Sequence, residues 1–128
     1  MATEPIRLLV VDDHPGARKA LVGLLREEPD LTVVGQAGDG RDALLLVSRT
    51  DPDVILLDVR MPDLDGVATA QALRSEFPHV AVVGLVVGPE DPDVPAMCRA
   101  GAVTCVPKGD VRGLLVAIRE CRERWSAA

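Results

Sequence analysis

The chain has 128 residues, the length of one domain. Apolar residues make up 48% and charged residues 27%, which supplies a core and argues against disorder. A formal charge of −6, with 14 basic against 20 acidic residues and only 2% aromatics, excludes a basic or base-stacking surface, so no direct nucleic-acid binding is expected.

Residues 6–11 (IRLLVV) form a short apolar run closed by Asp12 and Asp13. Such a run suits a strand buried on both faces. His14-Pro15 opens a helix, with proline where its missing N–H does no harm. Ala17, Ala20, Leu21, Leu24 and Leu25 recur at helical spacing, and Pro29-Asp30 stops the pattern. Residues 31–36 predict a second strand, residues 38–40 a turn and residues 41–49 a helix broken at Asp51-Pro52. Residues 53–58 (DVILLD) predict a third strand, again closed by an acid. Residues 61–66 (MPDLDG) are rich in turn formers. Val67, Ala70, Leu73 and Phe77 mark the next helix, ended by Pro78. Residues 80–87 and 102–106 predict strands four and five, and Val111, Leu114, Leu115 and Ile118 a closing helix.

Five strands with interleaved helices predict a single α/β domain over residues 1–128. Its natural form is a doubly wound, parallel five-stranded sheet of order 2-1-3-4-5 with right-handed crossovers. The segment 88–101 (GPEDPDVPAMCRAG) is irregular. Pro89, Pro92 and Pro95 forbid a helix before about Asp93, and Gly101 ends it, so the fourth helix is expected to be short or replaced by a loop.

Ligands of such sheets bind outside the carboxyl ends of the strands. Asp12 and Asp13 end the first strand, and Asp58 ends the third, its predicted neighbour. Lys108 follows the fifth. An acid in such a place is commonly a turn former or helix cap, and a loop lysine is commonly solvated. Here all four groups fall on one edge of the fold. Three carboxylates carry three negative charges, which a divalent cation and one lysine would neutralise. Hard oxygen ligands favour Mg²⁺. Asp58 would then serve as a carboxylate nucleophile toward a phosphoryl group.

On these motifs the sequence resembles the receiver domain of two-component response regulators, the CheY-like, flavodoxin-like fold. The matching stretches are VVDDH at 10–14, DVILLDVRMPDLDG at 53–66 and AGAVTCVPK at 100–108, and the likeness covers about residues 5–122. The style of HPGARKALVGLL, LTVVGQAGDGRDAL and DVRMPDLDG is most similar to the NarL/LuxR-type class. The resemblance implies Asp58 as phosphoacceptor, Asp13 as direct metal ligand and Asp12 as the acid that holds the metal through water. It implies the Arg60 carbonyl as a backbone metal ligand and Lys108 as partner of the phosphoryl oxygens. Met61-Pro62 and Asp65-Gly66 match the loop that shapes the site. The implied donor is a phosphohistidine on a sensor histidine kinase, and the implied role is phosphorelay signalling, with regulation of transcription as output. Members of that class carry a C-terminal DNA-binding domain. None follows here, so the chain reads as a stand-alone receiver or one separated from its effector.

Some positions depart from the family pattern. The hydroxyl residue at the end of strand four falls on Val86, and the aromatic switch of strand five falls on Cys105. Pro107 precedes Lys108 instead of following it, which puts the family's cis peptide in doubt. Losing a hydrogen bond to a charged group removes roughly 1.5–3 kcal/mol of coupling. The alternative function is therefore an atypical receiver that acts mainly through protein contacts, with weak or no coupling to phosphorylation.

A phosphatase of the haloacid dehalogenase type would need an acid two residues after Asp58, where Arg60 stands, so no enzyme is expected. Gly35, Gly38 and Gly40 lack dinucleotide-binding spacing. With the fourth helix in doubt, a homodimer through helices one and five is the candidate assembly, with Val22 and Val116 as candidate exposed apolar positions. Trp125 is read as linker, interface or frayed end. The start, Met1-Ala-Thr-Glu-Pro, lacks signal-peptide character, and the apolar run 80–87 is too short to cross a bilayer. No membrane association and a cytoplasmic location are expected. Cys98, Cys105 and Cys121 read as reduced, buried thiols without metal-type spacing.

Overall fold

A computed structural model describes residues 4–61 and 64–127, with side chains as far as residue 123. The elements follow in the expected alternation: β1 (Ile6–Val11), α1 (Pro15–Leu25), β2 (Leu31–Ala37), α2 (Gly40–Thr50), β3 (Val54–Asp58), α3 (Gly66–Glu76), β4 (Ala81–Val86), α4 (Val94–Arg99), β5 (Thr104–Pro107) and α5 (Val111–Ala127). The strands form one parallel sheet of order β2-β1-β3-β4-β5. This is the doubly wound, flavodoxin-like arrangement.

Alternation along the strands divides the core in two. Ile6, Leu8, Val10, Val54, Leu56, Val83, Leu85 and Val106 pack on one face with α1 and α5. Leu9, Val11, Ile55, Leu57, Val82 and Val86 pack on the other with α2, α3 and α4. Both faces are covered, so the strands read as continuous apolar runs.

Two boundaries and one helix face depart from the sequence expectation. Val87 leaves β4 and is 74% exposed, because its amide turns to a loop carboxylate instead of the ladder. Ala102 donates to the Met97 carbonyl, closing the end of α4, so β5 begins only at Thr104. In α1 the buried stripe is Val22 and Leu25, with Arg18 and Leu21 half-buried, while Leu24 is exposed. Arg18 takes an inward position because its guanidinium donates to the Asp12 carbonyl at 2.6 Å. Val22, expected at the surface, is core; Val116 is exposed as expected.

The proline-rich segment yields a helix of six residues, with Pro95 in its first turn. It stops where Gly101 takes a φ of +116°, a conformation open to glycine. Every peptide bond among the described residues is trans. Among them, too, no helix is long and apolar enough to cross a membrane. Trp125 lies outside the described side chains, and Pro62 outside the described residues.

Candidate functional site

Strand register brings the acids to one level. Val11 pairs with Leu57, so Asp12 and Asp58, the next residues, lie side by side at the carboxyl edge of the sheet. Asp12, Asp58 and Lys108 each stand two residues beyond an α1/α5-facing core residue, namely Val10, Leu56 and Val106. The period of two therefore aims all three to the same side. Lys108 starts higher, and its long stem brings the ammonium back to the acids.

The Lys108 Nζ lies 2.9 Å from Asp58 Oδ2 and 3.4 Å from Asp12 Oδ2. Asp12 Oδ1 accepts from the His14 amide at 2.9 Å, and Asp58 Oδ1 from the Arg60 amide at 3.1 Å. Asp12 and Asp58 are buried, at 2% and 3% exposure. Burial is the largest influence on Asp58 and pushes its carboxyl above the usual range, against the pull of Lys108 and the Arg60 amide. Burial alone would lower the Lys108 ammonium, but Asp58 and Asp12 beside it hold it above its ordinary value. The pair is unequal because Lys108 faces two carboxylates while Asp58 faces one ammonium.

Asp13 completes the cluster. Its Oδ1 is buried and makes no hydrogen bond, although His14 Nδ1 approaches to 3.1 Å. Asp12, Asp13, His14 and Asp58 can each present one ligand atom within 4.8 Å of the others. Three carboxylates and one ammonium leave two negative charges, which one divalent cation would cancel. The orphaned Asp13 oxygen and the oxygen-rich donor set fit Mg²⁺. His14 was not singled out as a site residue from sequence; its place beside the acid pair was the available signal.

A cavity of about 140 Å³ adjoins Asp58 and is lined by His14, Arg60, Val86, Asp91 and Lys108, among others. Val86 forms its apolar wall and is 2% exposed. Cys105 is half-buried, and burial, then the neighbouring Cys98 thiol, pushes its thiol up to about 11. Cys121 is buried as expected, but Cys98 is exposed. Met97 and Cys98 are adjacent on α4, and Met97 takes the inward place. Asp65 caps α3 by accepting from Ala68 at 2.8 Å, and the Gly66 amide donates to the Val59 carbonyl at 3.0 Å. These bonds seat the start of α3 against the end of β3. Asp91 was missed in sequence, because its partner Arg60 lies 31 residues away.

Residues 8–119 match the response regulator receiver domain family. The chain belongs to that family. This receiver is 40% identical over 116 residues to the nitrate/nitrite response regulator protein NarP of Escherichia coli, covering 90% of this chain and 54% of that protein. It is 47% identical over 105 residues to protein-glutamate methylesterase/protein-glutamine glutaminase 3 of Anaeromyxobacter dehalogenans, covering 80% of this chain and 30% of that protein. Among solved structures, the signal receiver domain of NarL from Mycobacterium tuberculosis superposes with a TM-score of 0.82 at 34% identity, covering 91% of this chain and 98% of that one. The chain thus spans about half, or less, of the length of these curated relatives. The likeness to NarL and NarP bears out the class resemblance. The alternative of a pure interaction module gains no support from these relatives.

Proposed function

We propose that this receiver is a phosphoacceptor that takes a phosphoryl group onto Asp58 from a phosphohistidine of a sensor histidine kinase. The observation that carries the reading is the Lys108 ammonium set 2.9 Å from Asp58 and 3.4 Å from Asp12 beside an unbonded Asp13 oxygen. A carboxylate oxygen of Asp58 attacks phosphorus, the bond from phosphorus to the imidazole nitrogen breaks, and the imidazole keeps that electron pair. Lys108 favours the ionised form of Asp58 against its burial and then pairs with the phosphoryl oxygens. Asp13, Asp58 and the Arg60 carbonyl would hold Mg²⁺ directly, and Asp12 through water. The cation supplies charge neutralisation for the transferring oxygens.

The wider assignments belong to the same proposal. The domain, residues 1–128, is cytoplasmic, has no catalytic activity on a further substrate and contacts neither nucleic acid nor membrane itself. In the longer protein a DNA-binding effector provides the output. A homodimer forms through α1 and α5, where Leu24 and Val116 are 45% and 53% exposed. Intact mass after incubation with acetyl phosphate and Mg²⁺ tests the core of the reading. The wild type is expected to gain the mass of one phosphoryl group and Asp58→Asn none. No gain in the wild type, or an equal gain in both, would remove Asp58 as acceptor.

A further inference from the structure

Arg60 does two things at once. Its amide holds Asp58 Oδ1, while its guanidinium crosses to the loop between β4 and α4. There Nη2 lies 3.0 Å from Asp91 Oδ1 and 3.4 Å from Asp93 Oδ2. The Asp91 side chain is only 2% exposed, whereas that of Arg60 is 52% exposed. Asp91 Oδ1 also accepts from the Asp93 amide at 3.0 Å, and Oδ2 from the Val87 amide at 3.3 Å. One buried carboxylate therefore pins both the residue that follows β4 and the residue that caps α4. Asp91 and Arg60 line the same 140 Å³ cavity as Asp58 and Lys108. The wall where the family has a hydroxyl is Val86, which can donate nothing.

We propose that the Arg60 guanidinium is a ligand of the phosphoryl group on Asp58, and that its transfer from Asp91 to the phosphoryl oxygens releases the β4–α4 loop. The inference rests on the phosphoacceptor reading above. A phosphoryl group brings up to two negative charges and several acceptor oxygens into the cavity. The planar guanidinium matches such oxygens bidentately, so it favours them over a carboxylate it meets through one nitrogen. Asp91 then loses one of the three groups that hold its carboxylate, which leaves it freer to turn from the two amides to water. The Val87 and Asp93 amides lose their acceptor together. Arg60 thus reads the phosphoryl group in the role that Val86 cannot fill.

Beryllofluoride with Mg²⁺ serves as the probe, with bound fluorine resonances reporting occupancy and water-exchange NMR reporting the two amides. In the occupied wild type, exchange at Val87 and Asp93 is expected to rise by about tenfold or more, the scale of one lost charge-assisted hydrogen bond. In Asp91→Asn, both amides are expected to exchange fast from the start and to change by less than about twofold on occupancy, since the charged acceptor is gone. Absence of any bound fluorine signal in the wild type would sink the phosphoacceptor reading and this one with it. A filled site with both amides unchanged would overturn the Arg60 transfer alone. So would an Asp91→Asn protein that responds as fully as the wild type.

Discussion

At the scale of single residues, the chain keeps the acidic pocket and alters what surrounds it. Cys105 lies so close over the sheet that a Cβ on Gly84 would stand 2.8 Å from its sulfur, so these two small residues fill together the place expected for an aromatic ring. Val86 is similarly packed, in the cluster with Met97 and Ala100. Its chemistry sets up a trade that mutation can expose. Val86→Thr keeps the volume but introduces a hydroxyl in an apolar wall. Without a phosphoryl group that hydroxyl replaces a methyl packed in the apolar cluster, at a cost of about 1–3 kcal/mol. With one, it gains a hydrogen bond to a charged group of about 1.5–3 kcal/mol. Val86→Thr is expected to unfold at lower urea concentration than wild type in the free form, and to recover or exceed wild-type stability with beryllofluoride bound. Urea midpoints of both proteins in both states check this. A Val86→Thr protein destabilised equally in both states would show that residue 86 does not meet the phosphoryl group.

At the scale of elements, the positions that chemistry needs were legible because they stand at strand ends. Asp12, Asp58 and Lys108 each follow or close a continuous apolar run, so the sequence alone places them on one edge, while their shared side shows only in the core each strand residue faces. The short α4 was legible for a steric reason, since three prolines and Gly101 leave room for little else. What was not legible depends on partners distant in the chain. The inward turn of Arg18 needs the Asp12 carbonyl, and the buried stripe of α1 runs through Val22 and Leu25 while Leu24 is exposed. Asp91 reads as one more turn acid until Arg60 is seen beside it. Caps lie between these cases. Asp39 precedes α2 as a standard capping type, and it accepts from the Asp42 amide at 2.8 Å. Asp39→Ala removes that acceptor and is expected to lower stability by about 1 kcal/mol. The response to beryllofluoride should be unaffected, because α2 contributes no residue to the acidic cluster. A urea midpoint equal to wild type would mean that water replaces the cap at no cost.

At the scale of the whole molecule, the sheet fixes the order of layers, but the last helix is tied by charge to the turn before β2. Arg119 on α5 donates from Nε to Asp30 Oδ2 at 2.8 Å and from Nη2 to Asp30 Oδ1 at 2.9 Å, with Glu28 Oε1 also 2.8 Å from Nη2. This fastens the last helix to the turn before β2, across 89 residues of chain. The hydrogen bond from Arg119 is the largest influence on Asp30 and holds its carboxyl below the usual carboxylate range. The sign of the linkage follows. Because the folded value is depressed, the clamp contributes fully above the unfolded value, and its contribution is lost as pH falls through the folded one. Its size is limited by solvent, since the Arg119 and Asp30 side chains are 42% and 38% exposed. Such a screened pair contributes at most about 1 kcal/mol, and less in high salt. Asp30→Asn is therefore expected to lower the urea midpoint slightly at neutral pH and low salt. The gap between the two proteins should narrow in concentrated salt, and it should close once acid has protonated Asp30 in the folded wild type. A gap that persists unchanged in acid would assign the loss to altered turn geometry instead of to the ion pair that joins α5 to β2.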